Sequence, residues 1–202
     1  MFNKVPLKGL VLAGGKSVRM GGADKGKSIW HNKEQRLYVA DLLSLYCTEV
    51  LISCRKEQID EIPENYRTLT DRYEGGGPIC GILSAFDYSP ESAWLVVACD
   101  LPLIDADTIE QLVKDRALHK KATTFVSPHD GLPEPLITIW EPAASPLLTS
   151  ALAAGRKCPR KVLMNTEVEL LIPRKPHAVL NVNTPEDAEF AKKLMGKHKQ
   201  DY

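Results

Sequence analysis

Short apolar runs alternate with longer segments of helical period along the whole chain, and no other feature restricts its fold as much. The runs that read as strands are "LKGLVLA" (7–13), "TEVLISC" (48–54), "YRTLT" (66–70), "AWLVVAC" (93–99), "ATTFVS" (122–127), "PLITIW" (135–140) and "AVLNV" (178–182). Between them, "QRLYVADLLSLY" (35–46) repeats Leu37, Ala40, Leu43 and Leu45 at roughly helical spacing. "GPICGILSAFDY" (77–88) carries a proline just inside a helix start, and "DADTIEQLVKDRALHKK" (105–121) runs from acidic to basic, as the helix dipole favours. "SPLLTSALAAG" (145–155) stops at a glycine suited to a C-cap, and "TPEDAEFAKKLMG" (184–196) offers Thr184 as N-cap before Pro185. Strands and helices alternating at these lengths imply crossover units. The expected fold is a three-layer α/β domain with a mostly parallel, Rossmann-like sheet, spanning 1–202 as a single unit. The unbroken apolarity of "LVLA" and "WLVVAC" marks central strands covered on both faces.

Charge narrows the partners. The 202 residues contain 26 Lys+Arg and 26 Asp+Glu, a formal net charge of zero. A general nucleic-acid binder needs a basic surplus, so no nucleic-acid partner is expected. No apolar run approaches the ~20 residues of a membrane span, and "MFNKVPLKG" has no signal-peptide core. Cysteines 47, 54, 80, 99 and 158 lack CxxC spacing and read as reduced thiols. A cytoplasmic location without membrane contact is the expectation.

One strand opens into an unusual loop. "GLVLAGGKSVRMGGADKG" (9–26) falls from an apolar run into glycines, two lysines, an arginine and an aspartate. It is not the phosphate loop GxxxxGK(S/T), because five residues, Leu10 to Gly14, separate Gly9 from Gly15 and four of them belong to the strand reading. The dinucleotide pattern GxGxxG is absent too. Gly14 and Gly15 let backbone N–H groups approach a polyphosphate, while Arg19 and Lys25 supply a planar fork and a mobile point charge. Gly21 and Gly22 allow the loop to fold back. Asp100 follows "WLVVAC" directly, placing a carboxylate in the crevice where that loop opens, and one aspartate suffices for Mg²⁺ when phosphates complete the shell. Asp71 follows "YRTLT" as a nucleotide contact or a turn former. "EGGGP" (74–78) reads as an anion seat at a helix start, a hinge or a tight turn. In "NVNTP", Asn183 or Thr184 suits a helix cap. His31, His119, His129, His177 and His198 have no metal spacing, and Cys99 reads as an inert strand-end thiol.

With these residues in place, the chain resembles the molybdenum cofactor guanylyltransferases of the nucleotidyltransferase superfamily. "LAGGKSVRMGGADKG" follows the pattern LAGGxSxRMGxxDKG, and "TDRYEGGGPICGI", "VVACDLPLI", "GLPEPLITIW" and "NVNTPED" match further motifs in order. The resemblance implies transfer of GMP from GTP to molybdopterin carrying molybdenum, with Mg²⁺ as cofactor and pyrophosphate released. By it, Leu12, Ala13, Gly14 and Gly15 receive the nucleotide, Arg19 and Lys25 hold the triphosphate, and Asp71 faces the nucleoside. Asp100 carries the magnesium and belongs with Arg19 and Lys25 to the catalytic set; Asn181 and Asn183 face the molybdopterin. Molybdoenzymes or other proteins of cofactor biosynthesis are the implied protein partners. The chain departs from the pattern at "HNKEQRL", where Glu34 replaces a proline and Asn32 is left to make a left-handed turn. It departs again at "ISCR", where the nucleotide contact expected after the second strand falls on Ser53. The basic stretch "AGRKCPRKVLM", with Arg156, Lys157, Arg160 and Lys161, suits an anionic second substrate. Two alternatives stay open: a cytidylyltransferase acting on molybdopterin or a polyol phosphate, and a nucleotide-binding module without turnover.

Overall fold

The computed structural model describes residues 5–15, 25–73, 75 and 77–198. Among them, seven strands form one sheet: β1 (Leu7–Leu12), β2 (Val50–Cys54), β3 (Arg67–Thr70), β4 (Ala93–Ala98), β5 (Ala122–Val126), β6 (Pro133–Trp140) and β7 (Val168–Leu171). Their order is β3-β2-β1-β4-β6-β5-β7. β6 runs antiparallel to both of its neighbours, and every other pairing is parallel. The expected mostly parallel α/β sheet is therefore what the chain forms.

Helices cover both faces because successive strand residues point to opposite sides. α1 (Gln35–Ser44) and α3 (Ala106–Lys114) pack Leu43, Ile109 and Leu112 against Val11, Leu95 and Val97. On the other face, α2 (Pro78–Tyr88), α4 (Ser145–Ala153) and α5 (Pro159–Leu163) pack Ile82, Phe86, Leu148 and Leu163 against Leu10, Trp94 and Val96. Every β4 residue is buried, which is why its sequence is apolar without alternation. Fully burying Leu95, Val96 or Val97 contributes roughly 1.5–3 kcal/mol each. α6 (Pro185–His198) closes the chain, with Thr184 Oγ accepting from Asp187 N–H as an N-cap. No described helix is long and apolar enough to cross a membrane.

Three expectations fail. "AVLNV" (178–182) is not a strand; Pro176–Val179 is a single 3-10 turn followed by irregular chain. Its apolar residues Ala178, Val179 and Val182 are buried all the same, and Val179 joins the core cluster of Val11, Leu95 and Val97. The missing strand is β7, an outer strand of half-buried residues with no pattern to announce it. The third helix stops at Lys114, not at 121, and "KK" at its expected end leads into β5.

β1 and β4 are neighbours, yet the chain after β1 turns outward through β2 and β3 before it returns on the other side as β4. Their carboxyl ends therefore flank a topological switch point, where sheets of this kind bind ligands.

Candidate active site

A cavity of about 210 Å³ opens at that switch point. Leu12, Gly14 and Gly15 form one wall, Ser53 and Asp71 a second, and Ala98, Cys99 and Asp100 a third. Gly77, Pro78 and Gly81, at the start of α2, close it from the side. The structure thus brings together Leu12, Gly14, Gly15, Ser53, Asp71 and Asp100, all singled out from sequence. Ala13 lies buried behind them, tied by its N–H to the Ser53 carbonyl at 2.9 Å. Arg19 lies outside the described residues, and Lys25 begins a short 3-10 turn, Lys25–Lys27.

Ser53, where the chain departs from the family pattern, lies on the cavity wall. Its hydroxyl donates to Asp71 Oδ1 at 2.8 Å and so orients that carboxylate. Desolvation raises the Asp71 carboxyl above its ordinary range, and the Ser53 bond offsets the rise only in part. The Asp71 carboxylate keeps one side open to solvent, and an ionised carboxylate can only accept hydrogen bonds.

Gly81 escaped the sequence reading. A Cβ there would lie 2.8 Å from Leu12 Cδ2, 2.8 Å from Ser53 Oγ and 3.4 Å from Asp71 Oδ1. The helix therefore approaches the cavity wall more closely than any side chain allows. A glycine inside a helix costs about 1 kcal/mol relative to alanine, so "GPICG" carried a signal of close approach. In "EGGGP", Gly75 and Gly77 have φ of +68° and +59°, left-handed values that favour glycine. Asn32, at φ 56°, makes the left-handed turn expected of it.

Two side chains after β2 grip the end of β1. The Arg55 guanidinium donates to the Gly14 carbonyl, and Gln58 Nε2 donates to the Ala13 carbonyl at 3.4 Å. Gln58 Oε1 in turn accepts the Arg55 N–H at 2.9 Å. Neither residue lines the cavity.

A second pocket, of about 440 Å³, is lined by Asn181 and Asn183 together with Ser127, Glu134, Arg160 and Asp187. A backbone bond ties the two walls together: the carbonyl of Asp100, on the first cavity, accepts from the N–H of Val182, on the second, at 2.8 Å. The basic stretch 156–161 divides here. Arg160 reaches this pocket but is held by Asp130 at 2.7 Å and Glu134 at 2.9 Å. Arg156 and Lys161 line a separate hollow beside Leu147 and Met164. Burial pushes the Glu134 carboxyl upward, with Ser127, Arg160 and Asn181 opposing. The pocket is thus lined by carboxylates as much as by cations.

With this geometry in view, residues 9–170 match the model of the MobA-like NTP transferase domain. The chain belongs to that family. Within it, the chain is 39% identical over 186 residues to a molybdenum cofactor biosynthesis bifunctional protein of Synechocystis sp., covering 92% of the chain and 53% of that protein. The chain thus spans about half the length of that relative. It is 30% identical over 183 residues to a molybdenum cofactor guanylyltransferase of Pseudomonas fluorescens, covering 90% of the chain and 91% of the relative. Among solved structures, molybdopterin-guanine dinucleotide biosynthesis protein A of Archaeoglobus fulgidus superposes with a TM-score of 0.76 at 24% identity, over 94% of this chain and 99% of that one. That last likeness bears on the fold.

As a MobA-like domain, the chain has a donor set that can be tested against a divalent ion. Among the described residues no three His, Cys, Asp or Glu side chains cluster as a closed metal cage. Asp100 and Asp71 are the two carboxylates on the walls of the cavity, and Asp100 is the one at the end of β4. That fits Mg²⁺, which takes one or two carboxylates and leaves the remaining positions to phosphate and water.

Proposed function

We propose that this chain transfers GMP from GTP to molybdopterin carrying molybdenum, forming the guanine dinucleotide cofactor and releasing pyrophosphate. The observation that carries the reading is the cavity at the β1/β4 switch point. It gathers the ordered family motifs, Gly14–Gly15, Asp71, the Gly77–Gly81 turn and Asp100, around one ligand-sized space. Relatives with 30% and 39% identity bear names from molybdenum cofactor synthesis, which supports the choice of substrates.

Guanosine sits between Leu12, Gly81 and the Ser53–Asp71 pair, its N1–H and 2-amino group donating to Asp71 and to strand-end carbonyls. Adenine lacks both donors there, leaving acceptors unpaired at ~1–3 kcal/mol each. The triphosphate lies along Gly14 and Gly15, with Arg19 and Lys25 of the loop over it. Asp100 would hold Mg²⁺, which when bound neutralises charge on the phosphates. The acceptor occupies the second pocket beside Asn181 and Asn183, so that its phosphate meets the α-phosphate in line. Fixing both substrates on one rigid sheet end supplies the positioning such a transfer needs.

Measuring pyrophosphate release from GTP, ATP and CTP, with and without molybdopterin carrying molybdenum, tests the proposal. Release dependent on both GTP and the pterin is the expected result. Faster release with CTP would make the chain a cytidylyltransferase, and nucleotide binding with no release would make it a binding module.

A further inference from the structure

The grip of Arg55 and Gln58 on the end of β1 has a geometric consequence. In a strand, carbonyls of successive residues alternate in direction. Up to Ala13 this chain obeys: the Leu12 carbonyl accepts from Cys99 N–H on the β4 side at 3.2 Å, and Ala13 N–H donates to Ser53 on the β2 side at 2.9 Å. The Ala13 carbonyl points to the β2 side too, toward Gln58. Regular alternation would then send the Gly14 carbonyl back toward β4. It goes instead to Arg55, again on the β2 side.

A trans peptide holds its N–H opposite to its C=O, and no described peptide is cis. Two successive carbonyls facing β2 therefore turn two successive N–H groups, those of Gly14 and Gly15, toward β4. On that side lie Cys99, Asp100 and the cavity. Neighbouring N–H groups aimed at one point form an anion-binding concavity. The glycines leave it open: no described atom lies within 4 Å of a Cβ built at Gly15, and the nearest at Gly14 is at 3.8 Å. Packing within the described protein therefore does not demand them.

We infer that Arg55 and Gln58 are positioning residues, which act through the backbone to aim the Gly14 and Gly15 amides at the nucleotide's phosphates. This rests on the nucleotide-binding reading above. Arg55 on this account serves the phosphates without touching them: its guanidinium donates to a carbonyl and faces Glu57 at 3.8 Å.

The test is isothermal titration of the full chain with Mg-GTP, with Mg-pyrophosphate and with guanosine. In Arg55→Ala, affinity for GTP and pyrophosphate should fall roughly 10- to 100-fold, the loss of one or two amide-to-phosphate bonds. Guanosine affinity should stay within about twofold, because the base wall is untouched. Arg55→Lys keeps a donor and should recover part of the loss. Gln58→Leu changes no charge and should weaken pyrophosphate about threefold, the share of one long bond. Thermal unfolding of each variant sets a temperature at which all are folded. Equal weakening of guanosine and pyrophosphate would reveal a general structural role and overturn the inference, as would unchanged pyrophosphate binding in Arg55→Ala. If the unaltered chain bound neither GTP nor pyrophosphate, the nucleotide-binding reading itself would fall.

Discussion

Replacing Gly81 by alanine separates stability from binding at this site. In isolation the change favours the helix, by about 1 kcal/mol of propensity. Against that stand two contacts at 2.8 Å, to Leu12 Cδ2 and Ser53 Oγ, where a real Cβ needs several tenths of an ångström more. Overpacking of this kind costs ~1–3 kcal/mol. The two neighbours do not yield equally. Ser53 Oγ is held by its 2.8 Å bond to Asp71, whereas Leu12 Cδ2 is the far end of a side chain beside an open cavity. Leu12 therefore gives way, and it moves into the space where the ligand sits. Without ligand the two terms nearly cancel, so the melting temperature should change by only a few degrees, at roughly 2–4 °C per kcal/mol for a chain of this size. With ligand, Leu12 has no room to retreat, and Mg-GTP affinity should drop roughly 10- to 100-fold. Thermal unfolding and titration calorimetry on the same preparation read the two halves. A Gly81→Ala variant that binds Mg-GTP as the unaltered chain does would show that α2 shifts freely and that the close approach is not part of the site.

Asp100→Asn should lower turnover by on the order of 10²-fold with the fold intact, since loss of one negative charge at the phosphates weakens the metal's hold; near-normal pyrophosphate release at limiting Mg²⁺ would refute it. Asp71 titrates above its ordinary range because the fold desolvates it, so its protonated form is favoured by folding. Guanosine affinity should accordingly decline as pH falls through that raised value, while the ligand-free fold gains stability from this group over the same interval; guanosine titrations at several pH values read the sign, and affinity that rises on acidification contradicts it. Glu141→Gln breaks the buried bidentate pair with Arg116, at 2.6 and 2.8 Å with both side chains under 10% exposed, and should destabilise by ~3–5 kcal/mol in denaturant unfolding without altering guanosine affinity.

The parts of this molecule that were legible in sequence share one property: their physics is local or their burial complete. β1 and β4 announce themselves because both faces are covered, and the glycine loop because Gly, Arg and Lys stand together in the chain. β7 was missed for the opposite reason. As an outer strand it leaves Leu170 exposed and its other residues half-buried, so no period survives in "VELL". "AVLNV" misled because apolarity reports burial and not backbone shape; Ala178, Val179 and Val182 are buried by a turn. Gly81, Arg55 and Gln58 owe their roles to contacts with residues 10 to 69 positions away, and nothing beside them in the chain names those partners. The basic stretch 156–161 shows the same limit. Its composition suits an anionic ligand, yet folding commits Arg160 to Asp130 and Glu134.

That commitment bears on where the charge of a triphosphate can be met. Among the described residues lining the nucleotide cavity there is no lysine or arginine, while Asp71 and Asp100 are both carboxylates. Arg55, nearby, is engaged with a carbonyl, and Arg160 is engaged across the second pocket. A polyanion entering such a space would meet repulsion from its walls. Oriented amides contribute only partial charges, and one divalent ion on Asp100 offsets only part of a triphosphate. On the proposed reading the remaining positive charge would come from Arg19 and Lys25, which follow β1 in the family motif. On that reading a neutral protein would hold a strongly charged substrate by division of labour: the sheet end would supply shape, acceptors and a metal carboxylate, and Arg19 and Lys25 the cations. Should Arg19 and Lys25 both be neutralised, the walls alone would favour guanosine over GTP, reversing the order of affinities that the proposed reaction requires.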